Sequence, residues 1–182
     1  VRLITAARGR RQVFEQVSTE VARQLEELRP DLTPEQRLRS GELVGAMAVH
    51  ETDGGVTVAW REGWNFSNLC AGFTLRPGSV YRDASGWTGE VIHGPDLEPD
   101  GKGGWRRIDQ AFRKYADLNQ AVSNFLAIAL NWTSFRPARD ALMLGDQAGF
   151  INALSRGGWF TQAPEVYLAA TDSHLRSYGV TA

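Results

Sequence analysis

The sequence has little of the material from which disulfides, metal sites and membrane spans are built. Its single cysteine, Cys70, has no partner for a disulfide within the chain, and three histidines add few ligands for zinc. No apolar run reaches the length of about 18 residues that spans a bilayer. We therefore expect a domain that is held together by its own packing, without a metal ion or a membrane span.

The chain also lacks an excess of charge and the motifs of nucleotide binding. Its 20 Lys and Arg residues balance 21 Asp and Glu residues, whereas nucleic-acid binders usually carry a basic surface. Neither a GxGxxG nor a GxxxxGK[ST] segment is present. The first residues lack the long apolar region and the cleavage site of a secretory signal. We expect no nucleic-acid partner and no cofactor, and either no export by that signal route or a signal that has already been removed.

Apolar residues recur at helical spacing near both ends of the chain. One amphipathic helix is predicted over residues 10–29, and Thr33 and Pro34 begin a second one that runs to about residue 50. The second helix is apolar on nearly every face over residues 43–49, which is typical of a buried helix. Further helices are predicted after a capping Asp117 and at about 137–144, 146–156 and 164–178.

The middle of the chain is rich in glycine, proline and tryptophan and has no helical period. Short strands are predicted near residues 86–93 and 106–112, with a turn-rich run over 94–101 between them. The sequence therefore predicts an α+β fold, a mostly helical domain with a small β-rich lobe or long loop at about 56–112. We place this domain at 33–182, after an N-terminal helical arm at 1–32.

The helix of the arm has two interpretations. It can cover the core, or it can dock a protein partner through Val13, Val17 and Val21. Exposure of its apolar face in the free domain would favour the partner.

Glu51 is the first candidate for chemistry, because it follows the apolar second helix. The C-terminal end of a helix carries partial negative charge, and apolar surroundings disfavour an ionised carboxylate, so both effects raise the pKa of Glu51. A carboxyl that stays protonated near neutral pH can act as a general acid. The alternative is an ordinary solvated glutamate at a helix end.

A second carboxylate is available in the turn-rich run, and glycoside cleavage needs such a pair. The candidates there are Asp96, Glu98 and Asp100, with Asp83 and Glu90 upstream. A turn-forming role is favoured for Asp100, which precedes a glycine. Indole rings stack on the apolar faces of sugars, so the tryptophans are candidate sugar contacts, with packing as the alternative for each. Cys70 is interpreted as a small buried residue and not as a nucleophile.

Several segments, taken in order, match the pattern of a known family. Ala-Val-His-Glu-Thr-Asp-Gly at 48–54 is followed by Asn-Leu at 68–69, by Trp-Thr-Gly at 87–89 and by Phe-Arg-Lys-Tyr at 112–115. Three closing segments lie at 148–154, 158–161 and 167–169. Over roughly residues 35–178 the chain thereby resembles, at a distance, the bacterial peptidoglycan N-acetylglucosaminidases of the flagellar-rod and autolysin type, which belong to glycoside hydrolase family 73.

This resemblance implies a lysozyme-like α+β fold and cleavage of peptidoglycan glycan strands at N-acetylglucosamine. It makes Glu51 the general acid and Glu98 the acid of the β-lobe, with Asp96 as the close alternative. The implied partner is the glycan strand itself. We expect substrate contacts from five side chains: Asn68, Trp64, Trp87, Trp159 and Tyr167.

The chain also departs from the family pattern. Asp53-Gly54-Gly55 stands where the family has Gly-Trp, and Trp159 replaces a functional tyrosine. The first hypothesis is therefore an active glycosidase that acts at the bacterial cell wall or periplasm, or from a phage particle. The alternative is a catalytically impaired glycan-binding or structural module of a phage or cell-wall-crossing assembly.

Overall fold

The computed structural model describes residues 2–71, 87–131, 133–160 and 162–180, and only the backbone of residues 2–8, 98 and 99. Its helices and strands, in chain order, are α1 (Arg2–Leu28), α2 (Pro34–Glu51), α3 (Val58–Gly63), β1 (Val91–Pro99), β2 (Trp105–Arg113), α4 (Leu118–Asn131), α5 (Arg136–Leu144), α6 (Gln147–Arg156) and α7 (Pro164–Ser177). The predicted α+β class, mostly helical with a small β-rich part, is confirmed. In the described parts of the chain, no helix combines the length and the apolarity that crossing a membrane requires.

Helix α2 begins and ends close to where the sequence predicts. The Thr33 hydroxyl accepts from the Gln36 N–H at 3.2 Å, and the Gln36 side chain accepts from the Thr33 N–H at 2.9 Å. This capping box satisfies two backbone donors that the first turn leaves without partners. Residues 43–49 are all buried, so α2 runs through the core and delivers Glu51 at its end.

Helix α1 packs directly on α2. A Cβ atom at Gly41 would lie 2.4 Å from the Ser18 carbonyl oxygen, so the two backbones approach more closely there than a side chain would allow. Val13, Val17 and Val21 are at most 2% exposed. The alternative of a partner docked on these valines is therefore wrong, because α2 and the rest of the core already cover them. The arm at 1–32 and the domain at 33–182 share one hydrophobic core.

Strands β1 and β2 form an antiparallel hairpin, in which Val91 pairs with Arg113 and Pro99 with Trp105. The strand predicted near 86–93 and the turn predicted over 94–101 are wrong in extent, because β1 continues through residue 99; residue 86 lies outside the described residues. Proline has no N–H to donate, but in a two-stranded sheet each strand has a free edge where none is needed. Pro95 is therefore compatible with β1.

The turn of the hairpin lies at residues 100–104. One Asp100 oxygen accepts from the backbone N–H groups of Lys102 at 2.8 Å and Gly104 at 2.9 Å. The turn-forming role favoured for Asp100 is confirmed. Helix α3, which the sequence did not reveal, packs against the base of the hairpin.

Candidate active site

Glu51 lies half-buried at the last residue of α2. The Tyr167 hydroxyl donates to Glu51 Oε1 at 2.6 Å, and Asn68 Nδ2 donates to Glu51 Oε2 at 3.2 Å. Asn68 Nδ2 also donates to the Glu51 backbone oxygen. Both carboxylate oxygens therefore have a donor, and the three residues come from α2, the segment after α3, and α7.

Asn68 reaches Glu51 because the segment that carries it is anchored to β2. The Asn65 amide donates to the Leu69 and Arg113 carbonyl oxygens, each at 2.9 Å, and its oxygen accepts from the Leu69 N–H at 2.9 Å. Asn68 itself has a φ of 47°, a left-handed conformation that asparagine tolerates better than most residues. The Asn-Leu segment thus holds the amide of Asn68 against Glu51.

Tyr167 is 1% exposed and is held by aromatic contacts. Its ring stacks on Phe160 with centroids 4.1 Å apart, and the His50 ring meets it edge-on at 4.5 Å. His50 Nε2 lies 3.1 Å from Gln162 Oε1, which ties the α6–α7 connection to α2. No sequence pattern places His50, Phe160 or Gln162 in the site, and the adjacency of His50 to Glu51 is the available signal.

Burial raises the pKa of Glu51 to about 7, and it outweighs the hydrogen bonds from Tyr167 and Asn68, which lower that pKa. The negative charge of Asp96 adds a smaller upward shift. Apolar surroundings disfavour the charged form of a carboxyl, whereas donors directed at the carboxylate favour it. A substantial fraction of Glu51 therefore carries a proton at neutral pH.

The raised pKa of Glu51 predicts how stability depends on pH. In the unfolded chain the carboxyl loses its proton near pH 4.5, whereas the folded protein holds it until about pH 7. The folded state therefore binds more protons between these values, and the free energy of unfolding falls as the pH rises through this window. Glu51→Gln removes this loss, so we expect the variant to exceed the wild type by up to roughly 3 kcal/mol at pH 8.

Urea unfolding of both proteins from pH 4 to pH 8 measures this difference. The exposed Glu165 provides a matched control, because Glu165→Gln removes a carboxylate in water. Glu165→Gln should show no comparable gain over the wild type at pH 8. If the free energies of unfolding of Glu51→Gln and the wild type differed by the same amount at every pH, the pKa of Glu51 would not be raised by folding.

Among the described side chains, Asp96 is the acid whose charge acts on Glu51. It lies in β1, is partly buried, and its charge raises the pKa of Glu51 and of the Cys70 thiol. Glu98 lies two residues further along β1, where its backbone pairs with that of Arg106. The side chain of Glu98 lies outside the described residues, and so does the whole of Asp83. Glu90 faces Lys114 at 3.8 Å.

Cys70 borders the same region. Burial, followed by the charges of Asp96 and Glu51, raises the pKa of its thiol to about 11. Few thiols are ionised at neutral pH under these conditions, which disfavours a nucleophilic role. Among the described residues, no group of three His, Cys, Asp or Glu side chains is arranged to hold a metal ion.

Cys70 can report on the charge of Glu51, because it is the single cysteine of the chain. Glu51→Gln removes a negative charge that disfavours the thiolate, so we expect iodoacetamide to alkylate Cys70 severalfold faster in this variant at pH 8. Mass spectrometry measures the rate. Glu165→Gln serves again as the control and should react like the wild type. Equal alkylation rates for Glu51→Gln and the wild type would show that the charge of Glu51 does not affect the Cys70 thiol.

The predicted tryptophan contacts lie in different surroundings. The Trp87 ring has the Arg113 guanidinium 4.5 Å from its centroid. Trp159 meets Phe125 and Phe135 edge-on, each with centroids 5.4 Å apart, and packs against the core. Trp64 is 38% exposed and lies beside Trp60. The substrate contacts of all three stay predictions.

No protein-family model matches the chain, and no curated protein matches its sequence. Solved structures do share its fold. The catalytic domain of the autolysin Auto from Listeria monocytogenes superposes with a TM-score of 0.62 at 18% identity, covering 94% of this chain and 85% of that one. A C-terminally truncated glycoside hydrolase domain of FlgJ from Salmonella typhimurium has a TM-score of 0.55 at 17% identity, covering 95% of this chain and 99% of that one.

A third structure, N-acetylmuramoyl-L-alanine amidase from Staphylococcus aureus, has a TM-score of 0.63 at 16% identity. The match covers 94% of this chain and 42% of that one. The chain therefore has the fold of peptidoglycan hydrolases, as the resemblance implies. Proteins that share a fold at such low identity need not share a reaction, so the function depends on the chemistry of the site.

Proposed function

We propose that the chain is a peptidoglycan hydrolase that cleaves the glycan strand at N-acetylglucosamine, with Glu51 as the general acid. The observation that carries the proposal is the Glu51 carboxyl itself, half-buried, with a pKa raised to about 7 and a hydrogen-bond donor directed at each oxygen. A glycosidic oxygen leaves only when it is protonated, and a carboxyl with this pKa can supply the proton near neutral pH.

Tyr167 and Asn68 act through Glu51 in this proposal. Once Glu51 has given its proton to the leaving oxygen, the resulting carboxylate lies in a partly buried site and needs compensation. The Tyr167 hydroxyl and the Asn68 amide already point at the two oxygens and stabilise the charge. They are therefore positioning residues, and for Tyr167, predicted as a substrate contact, this role agrees with its near-complete burial.

Asp96 is proposed as the second acid. Its carboxylate lies on β1, and its charge acts on Glu51. A carboxylate must lie this near Glu51 if the two residues are to act on the same glycosidic bond. In this position it can stabilise positive charge at the sugar, activate water or orient the acetamido group of the substrate. Glu98 is the alternative on the same strand.

A tyrosine variant tests the positioning role. Removing the Tyr167 hydroxyl takes away a donor that favours ionised Glu51, so Tyr167→Phe raises the pKa of Glu51 further. Activity requires the protonated acid, and we therefore expect the alkaline limb of the rate profile to move to higher pH. Tyr178→Phe, which removes a hydroxyl elsewhere, should leave the limb in place. An unmoved limb in Tyr167→Phe would remove Tyr167 from the proposal.

The proposed function is tested with purified cell walls. Incubation with the protein should release soluble fragments whose new reducing ends, after borohydride reduction and acid hydrolysis, are recovered as glucosaminitol, which marks N-acetylglucosamine ends. New amino groups of alanine without new reducing ends would indicate amide hydrolysis instead. Binding to the walls without release of either product would favour the catalytically impaired glycan-binding module. The proposal places the action at the bacterial cell wall.

A further inference from the structure

A small pocket lies between α1 and α3, lined by residues other than those that contact Glu51. It has a volume of about 180 Å³. Its lining includes Gln12, Gln16, Gly55, Trp60, Arg61 and Trp64. Drug-sized ligands occupy pockets of roughly 300 Å³ or more, so this pocket admits a single ring and not a length of polymer.

One wall of the pocket is an indole held in an unusual backbone conformation. Trp64 follows the last residue of α3 with a φ of 53°, in the left-handed region where a helix-ending glycine is common. For a bulky residue this conformation costs on the order of a few-fold to a hundredfold in population, and such strain clusters at ligand sites. Trp60 meets Trp64 edge-on with centroids 5.5 Å apart, so the Trp64 ring is oriented before any ligand arrives.

The rest of the lining carries polar groups. Gln12 and Gln16 are four residues apart on α1 and therefore lie on one face of the helix. In the parts of the chain that the structure describes, neither amide has a hydrogen-bond partner, and the Arg61 guanidinium has neither a hydrogen bond nor an ion pair. Gly55 has no side chain to fill this part of the pocket, where a Cβ would lie 3.0 Å from Val13 Cγ2 and 3.5 Å from Trp60 Nε1.

We infer that this pocket binds one pyranose ring of a glycan, outside the set of residues that surrounds Glu51. An indole face packs against the apolar face of a sugar, while two amides and a guanidinium can donate to and accept from its hydroxyl and acetamido groups. Arg61 also fits a carboxylate on the ring. Holding one sugar here retains the protein on its substrate between catalytic events. The choice of a glycan as the ligand rests on the proposed function, whereas binding in the pocket does not itself require cleavage.

The test uses the full chain with Glu51→Gln, so that no ligand is hydrolysed, and follows the six tryptophan indole N–H signals by NMR. The β-1,4-linked disaccharide of N-acetylglucosamine is titrated in one series, and N-acetylglucosaminyl-N-acetylmuramic acid in the other. We expect the Trp60 and Trp64 signals to shift with one saturating curve. Tighter binding of the second disaccharide would show that its carboxylate pairs with Arg61. Equal binding of the two would show that the pocket recognises neutral groups that both disaccharides carry.

Removal of the two amides provides the decisive variant. Gln12→Leu with Gln16→Leu alters α1 outside the buried core and should weaken the response of Trp60 and Trp64 by roughly tenfold. Trp105→Ala, at the end of the hairpin, is the control and should keep that response unchanged. The inference is overturned if Trp60 and Trp64 do not shift with either disaccharide, or if the double variant responds like its parent. Either result leaves the hydrolase proposal intact.

Discussion

Glu51→Gln is expected to abolish the release of glycan fragments from cell walls, with a loss of at least about 100-fold. Glutamine fills nearly the same volume and its oxygen still accepts from the Tyr167 hydroxyl, but it has no acidic proton to give to the glycosidic oxygen. The rate of reducing-end formation measures the loss. Retention of the helical circular-dichroism signal and of wall binding would show that only the proton donor is missing.

Glu165→Gln is the matched control for this experiment, because it makes the same substitution at an exposed position of α7. It should cleave walls at the wild-type rate. Wild-type turnover by Glu51→Gln would remove Glu51 from the chemistry and leave the fold without its proposed acid. The stability gain expected for Glu51→Gln at pH 8 makes misfolding a poor explanation for its inactivity.

Asp96→Asn is expected to produce the second large loss, again on the order of 100-fold in the rate of reducing-end formation. The variant keeps the size of the side chain and can still accept from the Leu97 N–H, as Asp96 Oδ1 does at 2.8 Å. It removes the negative charge that acts on Glu51 and that, in the proposed reaction, stabilises the developing positive charge of the sugar. The pKa of Glu51 should fall slightly in this variant, which the alkaline limb of any residual activity reports.

Glu98→Gln separates the two acids of β1. The two substitutions are chemically matched and lie two residues apart on one strand. If Asp96 is the second acid, Glu98→Gln retains most of the activity. A severe loss in Glu98→Gln, with normal turnover by Asp96→Asn, would return the role to Glu98, as the resemblance alone implies.

Much of the helical framework follows from local sequence signals. Thr33 and Gln36 form a capping box that involves only residues three apart, so the start of α2 is visible in the sequence. The same holds for Asp146, whose side chain accepts from the Gly149 N–H at the start of α6. These signals are reliable because the hydrogen bonds that they describe close within one turn.

The hairpin shows where local signals are insufficient. Prolines and glycines over residues 94–101 predict a turn, yet β1 runs to Pro99 because its backbone pairs with β2, whose residues lie 6 to 22 positions further along the chain. The extent of a strand depends on its partner, and a proline is tolerated only if its missing N–H faces away from that partner. The sequence does not contain this information in any short window.

The candidate acid itself is identifiable from the chain alone, since Glu51 follows a run of apolar residues that is typical of a buried helix. Its surroundings were not identifiable, because Asn68, Tyr167 and Asp96 come from segments 17 to 116 residues away, and the protonation of Glu51 depends on all of them. The pocket between α1 and α3 likewise required the packing of two helices. Local hydrogen bonds and apolar periodicity specify the elements, whereas a pKa and a cavity arise from groups that meet only when the core closes.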